Sequence, residues 1–144
     1  MPYPEPLVAP MRQELVQLGF RELRSGEEVD NILGQINDPV LVVVNSVCGC
    51  AAGSMRPGVA LSLQEEPVPA ALTTVFAGQD LEATSRARGY FAGYPPSSPA
   101  VALLKEGELV WMMERHQIEG LGPHQIAEVL RGAYREHCDT STPA

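Results

Sequence analysis

Two of the chain's three cysteines, Cys48 and Cys50, stand one residue apart in the stretch Asn45-Ser46-Val47-Cys48-Gly49-Cys50-Ala51-Ala52-Gly53. A cysteine is a nucleophile as its thiolate, so the first question is whether the surroundings favour that form. The preceding run, Pro39-Val40-Leu41-Val42-Val43-Val44, has the length and β-branched content of a fully buried strand. The small residues after Cys50 suit the start of a helix. A helix start presents unpaired N–H groups and the positive end of the helix dipole, and both favour a thiolate at neutral pH.

The single residue between the two sulfurs narrows the chemistry. Two residues of extended chain span up to about 7 Å, whereas a disulfide holds its Cα atoms about 4.4–6.8 Å apart with a fixed torsion. The backbone must bend to close Cys48 onto Cys50, and Gly49, lacking a Cβ, tolerates such a bend. A bridge that short is expected to be strained and readily exchanged, which suits redox turnover better than stapling.

At 144 residues the chain fits one domain, with a core that needs no metal or disulfide support. Its 44% hydrophobic and 19% charged residues fit an ordinary globular composition. The net charge of -8 argues against nucleic acid or an anionic membrane as partner. No segment has the apolar length of a membrane span, and the N-terminus does not read as a signal peptide. The expected compartment is therefore the cytoplasm, where an odd number of cysteines points to catalysis or metal binding rather than to a disulfide framework.

The elements that must position the pair follow in order. Leu7, Val8, Met11, Leu15 and Leu18 mark a first helix, with Pro10 in its first turn and Gly19 ending it. Ser25-Gly26-Glu27-Glu28 has the form of a capping box, and Val29, Ile32, Leu33 and Ile36 repeat with helical spacing. After Cys50 a helix runs to about Leu63, kinked at Pro57. Leu72-Thr73-Thr74-Val75-Phe76 reads as a strand, and Asp80 caps a helix over residues 81–91. Ala100-Val101-Ala102-Leu103-Leu104 pairs through a Glu106-Gly107 hairpin with Glu108-Leu109-Val110-Trp111-Met112-Met113. A last helix starts near Pro123 and frays by Cys138.

Residues 1–37 are expected to form a helical extension, 38–138 the core and 139–144 a polar tail. The core then reads strand, helix, strand, helix, strand, strand, helix, the connectivity of a thioredoxin-like domain. This is a three-layer α/β/α sandwich around a mixed four-stranded sheet, with right-handed crossovers making the first two strands parallel. In that topology Cys48 faces the Ser98-Pro99 bond. A cis peptide there displays backbone groups able to hold an extended thiol or peptide against the sulfur.

Together with the Cys-Gly-Cys stretch, three further segments carry a resemblance: Val75-Phe76-Ala77-Gly78-Gln79-Asp80-Leu81-Glu82-Ala83-Thr84, Pro96-Ser97-Ser98-Pro99 and Arg115-His116-Gln117-Ile118-Glu119-Gly120. Over about residues 8–138 the chain resembles the bacilliredoxins, thioredoxin-like proteins with a Cys-Gly-Cys motif. The resemblance implies glutaredoxin-like thiol–disulfide exchange without a bound cofactor, with bacillithiol as co-substrate and S-bacillithiolated proteins as clients. Cys48 then takes bacillithiol onto itself and Cys50 resolves the adduct. Gly49, Ser98 and Pro99 match the positioning residues, and Arg56 is a candidate for attracting bacillithiol's carboxylates, against the plainer reading of an exposed charge.

Two rival readings remain at this point. A general protein disulfide isomerase or oxidoreductase uses the same cysteines on client disulfides. A zinc-binding module draws on Cys48, Cys50 and Cys138 with His116, His124 or His137, although these lack a second closely spaced pair. His116 is a second candidate for lining the site, Asn45 and Ser46 for bracing the motif's backbone, and Cys138, beside His137, reads as an incidental tail cysteine.

Overall fold

The computed structural model describes residues 2–138. Helix α1 (Glu5–Val16), a short strand β1 (Arg21–Glu22) and helix α2 (Gly26–Leu33) precede the central strand β2 (Val40–Asn45). A π-helical turn (Ala51–Met55) runs directly into α3 (Arg56–Ser62). Then come β3 (Ala71–Phe76), α4 (Leu81–Arg88), β4 (Ala100–Lys105), β5 (Glu108–Met113), the short α5 (Arg115–Ile118) and α6 (Pro123–His137).

The sheet order is β1-β3-β2-β4-β5, with β1, β3 and β2 parallel and β4 and β5 antiparallel. The sheet thus has five strands rather than the expected four, because β1 from the N-terminal extension pairs with β3 through Arg21 and Glu22. A two-residue strand leaves no alternating pattern to read.

Every residue of β2 is buried, and its side chains alternate between two cores. Leu41 and Val43 pack with Met55 and Val59 of the helix after the cysteines and with Ile126 and Leu130 of α6. Val40, Val42 and Val44 pack on the other face with Val29 and Leu33 of α2 and Ala83 and Ala87 of α4. Fully burying an aliphatic side chain contributes about 1.5–3 kcal/mol. Helices on both faces thus pin β2 and the loop that leaves it.

Local departures have local causes. Pro6, not Pro10, occupies the first turn of α1, and Pro10 lies inside the helix. Asp80 does not cap α4, because both its carboxylate oxygens accept from Arg12, at 2.6 and 3.0 Å. Ser25 caps α2 as expected, its Oγ accepting from the Glu28 N–H at 3.2 Å. The Glu106-Gly107 turn has φ of 55° and 76°, the left-handed pair that a tight hairpin requires. At Pro57, which lacks a backbone donor, the helix is accommodated by the π turn immediately before it, where the Arg56 N–H reaches back to the Ala51 carbonyl.

Candidate active site

The antiparallel pairing of β2 with β4 ends at Val44 and Ala100. The chain leaving β2 toward Cys48 and the chain entering β4 through Ser98-Pro99 therefore meet at one end of the sheet. The Ser98-Pro99 bond is cis.

A buried polar brace fixes the loop between strand and cysteines. Asn45 Nδ2 donates to the Met11 carbonyl at 3.1 Å, while its Oδ1 accepts from the Ser46 N–H at 2.9 Å and from Arg56 Nη1 at 2.8 Å. Arg56 Nη1 also donates to the Ser46 carbonyl at 3.0 Å, and its Nε lies 3.2 Å from a Glu14 carboxylate oxygen without hydrogen-bond geometry. The Ser46 hydroxyl then accepts from the Cys48 N–H at 3.0 Å. Arg56 is only 3% exposed, so it is neither the surface charge nor the ligand for a substrate carboxylate expected from sequence. Its Nη1 is committed to the loop and its Nε faces Glu14.

Beyond the brace, the Cys48 carbonyl accepts from the Ala51 and Ala52 N–H groups at 3.0 and 3.2 Å, and helical residues begin at Gly49. Cys48 consequently stands at the mouth of a helix N-terminus. The two sulfurs lie 2.9 Å apart, with both cysteines unbridged. Gly49 is exposed, has no left-handed φ, and an added Cβ there meets nothing within 4 Å. The geometry thus does not require glycine for the bend.

The two thiols differ electrostatically. Cys48 is held below the usual thiol range, first by the side chain of Cys50 donating to its sulfur and next by the Cys50 N–H. Desolvation opposes this, while the charge of Arg115 and the Ala51 N–H add to it. Cys50 is pushed up, first by burial and then by its hydrogen bond to Cys48 and the charge on Cys48. Glu119 adds to that rise and Arg115 opposes it. One sulfur is poised as thiolate and the other as its proton donor.

Both cysteines are half-buried, but their surroundings differ. Cys48 lines an open groove of about 470 Å³ with Tyr3, Ser46, Ala77, Ser98, Arg88 and Arg115. Cys50 is not among the groove-lining residues and packs against the core cluster of Met55 and Ile118. Pro99 is buried, leaving Ser98 as the member of that pair that faces the groove.

Arg115, Arg88 and Tyr3 were not singled out from sequence. Arg115 opens α5, where its N–H approaches Ser97 Oγ at 3.4 Å, its Nη1 donates to the Ser98 carbonyl at 3.3 Å and its Nε bonds Glu119 at 2.6 Å. The signal was available, because Glu-x-x-Gln spacing marks a helix start, and the Glu114 N–H indeed donates to Gln117 Oε1 at 2.8 Å. His116, the neighbour weighed instead, is exposed and lies outside the groove lining. Tyr3 is clamped by Gln79, which accepts from its N–H at 2.7 Å and donates to its carbonyl at 3.0 Å.

Cys138 sits in the core, 5% exposed, and burial pushes its thiol up to about 11. The alternative zinc set is not assembled: among the described residues no three His, Cys, Asp or Glu side chains form a group able to hold a metal ion. Among the same residues no helix is long and apolar enough to cross a membrane.

Comparison with known proteins follows the same lines. The family profile described as Disulphide isomerase matches residues 3–138. A bacilliredoxin of Koribacter versatilis is 49% identical across 99% of this chain and 98% of its own length. A bacilliredoxin of Bacillus cereus is 51% identical over 92% of both chains, and one of Salinibacter ruber 50% identical over 99% of this chain and 85% of its own. Among solved structures, Saccharomyces cerevisiae mitochondrial thioredoxin 3 superposes with a TM-score of 0.53 at 17% identity, covering 83% of this chain and 96% of that one. Schistosoma mansoni thioredoxin gives 0.54 at 21% identity, covering 81% and 95%. These likenesses establish the thioredoxin fold.

Proposed function

This chain belongs to the bacilliredoxin family of thiol–disulfide oxidoreductases, and from that premise we propose that it removes bacillithiol from S-bacillithiolated cytoplasmic proteins through Cys48, with Cys50 resolving the intermediate. The observation that carries the reading is the division of labour between the two sulfurs: the more acidic one lines the groove and the less acidic one lies behind it.

The Cys48 thiolate attacks the bacillithiol sulfur of the mixed disulfide. A Cys48–bacillithiol bond forms, the original S–S bond breaks, and the client leaves as a thiolate that takes a proton from water. Once Cys48 is in a disulfide its negative charge is gone, and with it two of the causes that keep the Cys50 thiol high. Cys50 then ionises more readily and attacks the Cys48 sulfur. This forms the Cys48–Cys50 bridge and releases bacillithiol, and a dithiol or two equivalents of a small thiol reduce the bridge for the next cycle. Gly49 allows close approach to the pair from solvent, while Ser98 lines the groove with Cys48 and the buried Pro99 backs it.

Mass spectrometry of the reduced protein mixed with bacillithiol disulfide tests this directly. A Cys48 adduct that collapses to an internal bridge is expected, and a Cys50→Ser variant is expected to accumulate the adduct. Unmodified Cys48, or a Cys48→Ser variant that removes bacillithiol at the wild-type rate, would sink the mechanism.

The description of the matching family profile favours a second reading, isomerisation of client protein disulfides by the same two sulfurs. Turnover of bacillithiolated, glutathionylated and scrambled-disulfide substrates separates the two. A preference for the scrambled substrate selects the isomerase.

A further inference from the structure

The groove beside Cys48 is positively charged on an acidic protein. The chain carries 18 acidic residues against 10 lysines and arginines, yet Arg88 and Arg115 both line this groove and, among the described residues, no aspartate or glutamate does. Arg115 shares its charge with Glu119. Arg88 differs from the other arginines around it, because among the described residues it pairs with no carboxylate.

Arg88 has donors to spare. Among the described residues its one side-chain hydrogen bond is a long contact of 3.4 Å from Nη2 to the Ser97 carbonyl. It is partly withdrawn from water at the end of α4, and that desolvation lowers its affinity for its own proton. A guanidinium presents five N–H donors in a planar fork that fits a carboxylate bidentately. A half-buried guanidinium facing an open groove with one long hydrogen bond is an incomplete arrangement for a purely structural residue. Arg86, two residues earlier on α4 and exposed, is by contrast paired with Asp30.

We propose that Arg88 and Arg115 form a carboxylate-binding subsite that selects acidic low-molecular-weight thiols in disulfide linkage at Cys48. Arg88 supplies the bidentate contact. Arg115, whose charge also acts on the Cys48 sulfur, holds the Ser98 side of the groove. This deepens the reading above and rests on it: the small thiol carried onto Cys48 is held by its carboxylates. The subsite fills the place for which sequence had offered Arg56.

Three symmetric disulfides of similar size and different charge provide the test: dithiodipropionate, 2-hydroxyethyl disulfide and cystamine. In each case the Cys48 thiolate attacks one sulfur, a new S–S bond forms, the old one breaks, and the departing thiolate takes a proton from water. With Cys50→Ser as background, the adduct accumulates and its rate is read by mass spectrometry. Introducing Arg88→Gln is expected to lower the dithiodipropionate-to-cystamine rate ratio about 1.5- to fivefold, the range for exposed ion pairs. Arg86→Gln is expected to leave that ratio as it was. Raising salt from about 0.1 M to about 1 M, which shortens the Debye length from about 10 Å to about 3 Å, should lower the ratio in the Arg88-containing protein and much less in its absence. The salt series keeps the proposal testable if Arg88→Gln does not fold.

An unchanged ratio in Arg88→Gln, an equal loss of rate on all three disulfides, or a ratio indifferent to salt overturns the subsite while leaving the redox reading intact. Failure of the protein with both arginines to form an adduct with any of the three overturns the redox reading instead.

Discussion

The Sγ atoms of Cys48 and Cys50 lie 2.9 Å apart, and the groove reaches only the first. Proximity lets Cys50 donate to the Cys48 sulfur, and the placement of the groove decides which one meets a substrate. The lowered value of Cys48 has this contact as its largest cause. Alkylation by iodoacetamide should therefore rise with pH with its inflection below that of an ordinary thiol. Replacing Cys50 by alanine removes the largest stabiliser of the thiolate, so the inflection moves to higher pH. Arg115→Gln should move it the same way by less, because Arg115 ranks behind both contacts from Cys50. A Cys50→Ala inflection at or below that of the parent contradicts this ordering, and alkylation rate against pH measures it.

The brace under the loop predicts a cost in stability. Arg56 supplies two of the hydrogen bonds that hold Asn45 and Ser46, and replacing it by methionine keeps the bulk but strands the Ser46 carbonyl and one acceptance site on Asn45 Oδ1. A buried polar group left without its partner costs about 1–3 kcal/mol. The urea midpoint of Arg56→Met should fall accordingly with an unchanged slope. An unchanged midpoint would mean that water replaces the guanidinium at no cost.

Much of this arrangement was legible in the chain itself, for identifiable reasons. The run 39–44 is apolar on both faces because β2 is covered by helices on both sides, so length and β-branching were enough to place it. Ser98-Pro99 could be set opposite Cys48 because connectivity dictates which strand ends meet. Burial of charge was not legible: a lone arginine in a helical stretch reads as solvated, and only the folded distances pair Arg56 with Asn45 and Glu14. Arg88 was missed for the same reason. Its role depends on the carboxylate it lacks, and sequence spacing carries no such information. Strand β1 escaped because its partner Thr73-Thr74 is remote and its own two residues have no pattern.

Cys138 predicts a pH dependence of stability with a definite sign. Its folded value is raised to about 11 by burial, against about 8.5 for an unfolded thiol. Below about 8.5 both states hold the proton and the contribution is fully present. As pH rises from there toward about 11 the unfolded chain ionises first and stability is lost. Cys138→Ala should remove part of that alkaline decline, with Cys50 and Tyr134, also raised, supplying the remainder. Chemical denaturation at a series of pH values reads the effect. Equal slopes for parent and variant above about 8.5 would place this thiol in contact with water.

Two glycines, one between the cysteines and one inside α3, predict opposite outcomes. At Gly58 an added Cβ falls 2.6 and 2.8 Å from the Ile126 side chain and 3.1 Å from the Pro123 carbonyl, because α3 and α6 meet there with nothing between them. Part of that obstruction is backbone, so the helices must separate, and overpacking of this kind costs about 1–3 kcal/mol. At Gly49 an added Cβ enters open space on a helical backbone with no left-handed φ, so alanine there should be neutral or slightly stabilising to the fold. Thermal unfolding of Gly58→Ala and Gly49→Ala compares them directly. A melting temperature lowered for Gly49→Ala and not for Gly58→Ala reverses the argument, since it would put the tight backbone approach at the cysteines rather than between the helices that support them.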